Sequence, residues 1–150
     1  MTIEQDINQP VFRNEYQKAM INLLFTHGWV TDKTKLIFEK EDITPQQFNI
    51  LRILRGANAP LTTLQIRERM LDKMSDTSRI VDRLIIKEFA KKVTSTTDKR
   101  LVDISITEKG KRLLKKLDKF EDEFDAVMGK LTLTDAKLLN SLLDKIRQAN

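Results

Sequence analysis

The sequence predicts a mostly α fold with one small β-hairpin: a winged helix-turn-helix flanked by N- and C-terminal dimerisation helices. Three observations lead there. Apolar residues recur at helical spacing through most of the 150 residues. The exception is "TSTTDKRLVDISITEKG" (94–110), where Val102, Ile104 and Ile106 alternate with Asp103 and Ser105 as in a strand, and Val93 suits a partner strand. Two short helices joined by a tight turn stand directly before that hairpin.

The first helix is predicted over Phe12–Phe38, with His27-Gly28 as the place to bend or break it. Next comes "ITPQQFNILRILRG" (43–56). Thr44 is an N-cap, Pro45 suits the first helical position and Gln47 completes a capping box. Phe48, Leu51 and Leu54 form its inward stripe, and Gly56 is expected to end it. "LTTLQIRERML" (61–71) is capped by Thr62 or Thr63, with Leu64, Ile66 and Met70 apolar. After a break at Asp72-Lys73-Met74, Ser75 is expected to cap "DTSRIVDRLIIKEF" (76–89). Thr77, Ile80, Val81 and Leu84 fall on one side of that helix; Ser78, Arg79, Asp82, Arg83 and Ile86 fall on the other. Thr107 is expected to cap one long helix reaching about Gly129, and a last helix spans roughly Thr134–Gln148.

Composition bounds the function. A chain of this length is most simply one domain, able to bury roughly 70% of its unfolded surface. No apolar run approaches the roughly 20 residues of a membrane span, so no membrane partner is expected. "MTIEQDINQP" lacks the basic start and apolar core of a secretory signal, and there is no cysteine, which fits a cytoplasmic protein. The net charge is +5, yet residues 87–116 hold ten Lys/Arg against four Asp/Glu, so the remainder sums to −1. A localised cationic patch is what a polyanion binder carries. A solvated helix face is the plainer reading of 109–116 alone.

The order of the pieces suggests double-stranded DNA. The outer face of a projecting second helix can enter the major groove. Ser75, Thr77 and Ser78 lie in its first turn, where short donors and backbone N–H groups meet phosphates or base edges. Arg79 and Arg83 lie further along, and an arginine there can grip guanine. Lys99 and Arg100 sit near the hairpin tip, suited to a neighbouring minor groove, with Asp98 placed to orient Arg100. On an arbitrary helix, Arg79 and Arg83 would be a solvated face partnered by Asp82. The alternative is a winged helix that meets an acidic protein partner through the same patch. An enzyme has no residue constellation behind it, and no cofactor or metal site is expected, since a lone histidine without cysteines makes no ordinary zinc site. His27, with Trp29, is a candidate pocket lining; as packing or surface it is commonplace. "EDEFD" (121–125) reads as a solvated face. Phe120, Phe124, Val127 and the terminal leucines exceed what one helix layer needs, which suggests a homodimer.

These residues resemble the MarR-type winged-helix transcriptional regulators. The matching stretches are "ITPQQFNILRIL" (43–54), "LTTLQIRERM" (61–70), "SRIVDRLIIKEFAKKV" (78–93) and "DKRLVDISITEKGKRLL" (98–114). Asp98-x-Arg100 followed by Ile106-Thr107-x-x-Gly110 is the most specific part. The resemblance implies a division into a helical dimerisation region (1–40 and 107–150) and a DNA-binding region (41–106). It also implies paired recognition helices on a pseudo-palindromic site, wing insertion by Arg100, and relief of binding by a small aromatic or anionic effector. The chain departs from the family in two places. Glu88 stands where glycine usually follows the recognition helix, so a different helix exit is expected. Lys91-Lys92 replaces an acidic-basic pair. Sensing through a thiol is excluded by the lack of cysteine.

Overall fold

The computed structural model describes residues 1–95, 98 and 102–148. The chain forms two compact units, Met1–Leu36 and Ile37–Asn150. The elements in order are α1 (Ile3–Asp6), α2 (Glu15–Glu39), α3 (Pro45–Ala57), α4 (Thr63–Arg69), α5 (Thr77–Ile86), β1 (Ala90–Thr94), β2 (Val102–Ile106), α6 (Glu108–Leu117), a 3-10 turn (Asp118–Phe120), α7 (Glu121–Val127) and α8 (Leu133–Arg147).

The N-terminal unit holds a feature the periodicity did not reveal. Ile3 is buried on the short α1, whose start is tied by Thr2 N–H donating to Gln5 Oε1 at 3.0 Å. Lys18 of α2 reaches Glu4 of α1 at 2.6 Å. That hydrogen bond, with the backbone and Thr2 hydrogen bonds behind it, holds the Glu4 carboxyl down at about 2. α2 begins later than expected. Asn14 Oδ1 accepts from Gln17 N–H at 2.9 Å, and Gln17 Oε1 accepts from Arg13 N–H at 2.7 Å. The helix then runs unbroken through His27-Gly28. One Gly costs only about 1 kcal/mol in a helix interior, too little to stop a helix of 25 residues.

The second unit is built on α3. Thr44 and Gln47 form the expected capping box, with Gln47 N–H to Thr44 Oγ1 at 3.1 Å. Gly56 does not end the helix; Asn58 does, in the left-handed conformation at φ 53°. Asparagine tolerates that region, so the stop did not need glycine. Ile50, Leu51 and Leu54 of α3 pack with Ile66, Met70, Leu84, Leu114 and Leu117 in one core. Each such side chain, fully buried, contributes roughly 1.5–3 kcal/mol. Phe124 also turns inward. It lies 5.4 Å from Phe38 and 6.2 Å from Phe48, ring centre to ring centre. This corrects its expected place in a dimer surface.

That inward turn is possible because the long helix expected from Thr107 to Gly129 is interrupted. α6 ends at Leu117, a 3-10 turn follows, and α7 starts at Glu121. Arg55 grips Asp118 in this break with both guanidinium nitrogens, at 2.8–3.1 Å. On α8, capped by Thr132 rather than from Thr134, no residue is buried; Leu138, Leu139, Leu142 and Ile146 stay exposed.

The hairpin is antiparallel, with Ala90 opposite Ile106, Lys92 opposite Ile104 and Thr94 opposite Val102. Leu61 adds one more bridge on the far edge. It exchanges two backbone hydrogen bonds with Ile104, at 2.7 and 2.9 Å. Gly110 is obligatory at the foot of the wing. A Cβ there would run into the Phe89 carbonyl and lie 2.8 Å from Ile106 Cγ1.

Candidate nucleic-acid interface

The projecting helix is set by the turn before it. Met70 leaves α4 in an extended conformation, and buried Asn49 of α3 accepts from Leu71 N–H at 3.0 Å, so the core itself fixes the turn. Asp72 then organises the loop. Its carboxylate accepts from Met74 N–H at 3.0 Å and its carbonyl accepts from the Ser75 hydroxyl at 2.8 Å. Ser75 is therefore not the cap of α5. Asp76 is, accepting from Arg79 N–H at 3.1 Å. An aspartate serves as well as a serine in that role, so residue type alone gave no ground for preferring Ser75.

α5 divides cleanly. Val81 and Leu84 are buried, while Ser78, Arg79, Asp82, Arg83 and Ile86 face outward. Thr77 is a correction to the expected contact set. It is 4% exposed, and its hydroxyl is buried without a hydrogen-bond partner, so it packs the helix down. Its place on the inward stripe with Val81 and Leu84 was the signal. Asp82 does not partner the arginines; its carboxylate lies 3.8 Å from Lys92 on β1. Among the described residues no ion pair engages Arg79 or Arg83, so both guanidinium groups are offered outward from a braced helix.

The wing follows at once. α5 exits through a complete Schellman motif: Phe89 N–H donates to Leu84 O and Glu88 N–H to Ile85 O, both at 2.9 Å. Glu88 occupies the left-handed position at φ 62°. The expectation of a different exit is thus overturned. Glutamate adopts glycine's conformation, held by the Thr107 hydroxyl donating to Glu88 O at 2.7 Å and by Lys109 at 3.1 Å from its carboxylate. Lys99 and Arg100 lie outside the described residues, and so does the partner assigned to Asp98, which is itself half-buried.

The basic stretch is less free than its composition suggests. Lys87, Lys92, Lys109, Lys111 and Lys116 each pair with a carboxylate: Asp42, Asp82, Glu88, Glu108 and Glu41 respectively. In the N-terminal unit, His27 and Trp29 are both exposed but do not meet. Trp29 lines a 530 Å³ cleft with Ile3, Glu4, Lys18 and Phe25, whereas His27 does not border it. Positions two apart on a helix face different ways. Among the described residues no group of three or more His, Asp or Glu is placed to hold a metal, and no helix is long and apolar enough to cross a membrane.

Two short helices, an outward arginine face on the second and a hairpin wing define a winged helix-turn-helix protein. A model of the MarR family matches residues 43–102. The uncharacterized HTH-type transcriptional regulator YpoP of Bacillus subtilis (strain 168) is 32% identical over 121 residues, 74% of this chain and 80% of that one. The HTH-type transcriptional repressor MdtR of the same organism is 35% identical over 72 residues, and there the chain spans just under half, 46%, of the relative's length. A crystal structure of a cysteine-to-serine mutant of MarR from E. coli complexed with operator DNA superposes with a TM-score of 0.81. It covers 92% of this chain and 99% of that one at 21% identity. The chain belongs to the MarR family of winged-helix transcriptional regulators.

Proposed function

We propose that the chain is a homodimeric, sequence-specific DNA-binding regulator, a repressor relieved by a small aromatic or anionic effector, working in the cytoplasm. The observation that carries the DNA reading is the outward Arg79 and Arg83, unpaired among the described residues, on a helix whose other face is buried. A free arginine on a projecting helix reaches guanine O6 and N7, whereas Ser78 and the first-turn backbone meet phosphate. In this reading Ser75 supports the loop. Lys99 and Arg100 extend the contact into a minor groove, with Asp98 orienting Arg100. The exposed leucines of α8 support a self-complementary interface between two copies.

The test is a gel shift on duplexes selected from random sequence, repeated across salt. A dimer that neutralises roughly six to ten phosphates gives a log–log salt slope of about −5 to −9. Arg79→Ala is expected to lose about 1–3 kcal/mol on the selected duplex and little on random DNA. A slope near zero, with Arg79→Ala silent in a folded protein, would favour an acidic protein partner instead. For the effector, salicylate is expected to change Trp29 emission and to weaken DNA binding. DNA must then weaken salicylate binding by the same factor.

A further inference from the structure

The exit of α5 is tied to the exit of α2 by a single side chain. Both exits turn through a non-glycine residue in the left-handed region, Asp42 at φ 49° and Glu88 at φ 62°. Lys87 stands next to Glu88 and spans to Asp42. Its ammonium donates to the Asp42 carbonyl and to Asp42 Oδ2, the latter at 3.0 Å. From the other side, Lys109 of α6 donates to the Lys87 carbonyl at 2.9 Å and to Glu88 Oε2 at 3.1 Å, and lies 5.2 Å from the centre of the Phe89 ring. Two lysines in series thus join the loop after α2, the last turn of α5 and the first turn of α6.

The carbonyl contact matters more than the ion pair. The Asp42 side chain is 97% exposed, and a pair so exposed is screened by water and salt. The Asp42 carbonyl is different: it stands just past the C-terminal end of α2, the negative end of the helix dipole, where a cation is favoured. Left-handed turns at non-glycine residues persist only where their surroundings hold them, and here the surroundings are these donors.

We propose that Lys87 is a positioning residue of the recognition helix: it fixes the angle at which α5 presents Arg79 and Arg83, and is not itself a phosphate ligand. Its charge counts toward the basic stretch, but two of its three donors are engaged by Asp42. This rests on the DNA-binding reading. The two alternatives leave different marks. A lost phosphate ligand weakens all duplexes alike and lowers the salt slope by about one. A lost positioning residue weakens the selected duplex and leaves the slope unchanged.

The experiment compares Lys87→Met, Lys87→Arg, Lys109→Met and, as a charge-only control, Lys91→Met, an exposed strand cation. Binding is measured on a selected and a scrambled duplex at several salt concentrations. Lys87→Met is expected to lose about ten-fold on the selected duplex and less than about two-fold on the scrambled one, the size of a displaced base contact. Lys87→Arg keeps most of the wild-type preference. Lys109→Met shows a smaller loss of the same kind, and the double Lys87→Met/Lys109→Met loses less than the product of the two. Equal losses on both duplexes with a shallower slope would overturn the proposal, as would a Lys87→Met indistinguishable from Lys91→Met. If Lys87→Met fails to fold, Lys109→Met, which leaves the Asp42 contacts in place, carries the comparison. Wild-type protein that does not discriminate between the duplexes sinks the DNA reading, and the proposal with it.

Discussion

Glu88 and Gly110 show opposite demands on single residues. Glu88 holds a backbone conformation that costs an L-residue roughly 1 kcal/mol or more. Its compensating contact to Lys109 is exposed, and such pairs contribute about 0–1 kcal/mol. Glu88→Gly is therefore expected to raise stability by about 0.5–1 kcal/mol, read as a higher urea midpoint with an unchanged m-value. Gly110→Ala goes the other way. Its methyl has backbone on one side and Ile106 on the other, and overpacking of this kind costs typically about 1–3 kcal/mol. An unaltered melting temperature in Gly110→Ala would mean that α6 is not so closely joined to Phe89 and the end of β2. The glycine at 110 was legible in sequence as a motif, though not its reason. The left-handed exit at 88 was misread, because residue type sets the cost of a conformation and not whether the neighbours meet that cost.

At the level of elements, what was legible depended on whether the signal was local. The capping box at Thr44 and the strand at 102–106 are local, and they stand where the sequence put them; of the two caps open for α4, Thr62 is the one used. The missed features depend on distant partners. Asp118 stops α6 with help from Arg55, 63 positions away. Leu61 joins the hairpin edge across more than 40 intervening residues, about which periodicity says nothing. Thr77 was placed on the inward stripe and also on the contact face; the packing of α5 decides for the first. α1 was missed because four residues are too few to show a period. Its docking carries a clear pH signature. The Lys18 hydrogen bond lowers the Glu4 carboxyl to about 2, from the ordinary 4.5. A carboxylate lowered on folding stabilises above its unfolded value, and that stabilisation fades as pH falls through the folded one. The α1 contact is thus expected to weaken between about pH 4.5 and 2. In a side-chain NMR titration, Lys18→Met should return the Glu4 midpoint toward its ordinary range; no movement would show that Lys18 is not the cause.

For the whole molecule, the question is what covers the apolar residues left outside. Leu133, Leu138, Leu142 and Ile146 are all at least half exposed on one 15-residue helix. Clusters of that kind on a soluble chain mark an interaction surface. Sedimentation at micromolar concentration is expected to give about twice the chain mass, as a closed two-fold assembly requires. Leu138→Glu with Leu142→Glu should shift it toward the single-chain value. A monomer that retains full DNA affinity would refute the paired reading. The sequence made this surface visible as a surplus of apolar stripe, but overcounted it, since Phe124 is used within the chain.

The Leu61 bridge gives the wing a fixed root. Ile104 is hydrogen-bonded to Leu61 on one edge and in register with Lys92 on the other. The amides of Leu61 and Ile104 should therefore be among the slowest to exchange with deuterium outside the helices. Beyond that point, between 94 and 102, none of the described residues belongs to the apolar core, although Ser95 is buried. The root of the hairpin is held by Leu61 and Ile104, whose hydrogen bonds do not involve the segment that closes it. A chimera exchanged at 94–102 is therefore expected to melt with the parent while choosing different DNA flanks.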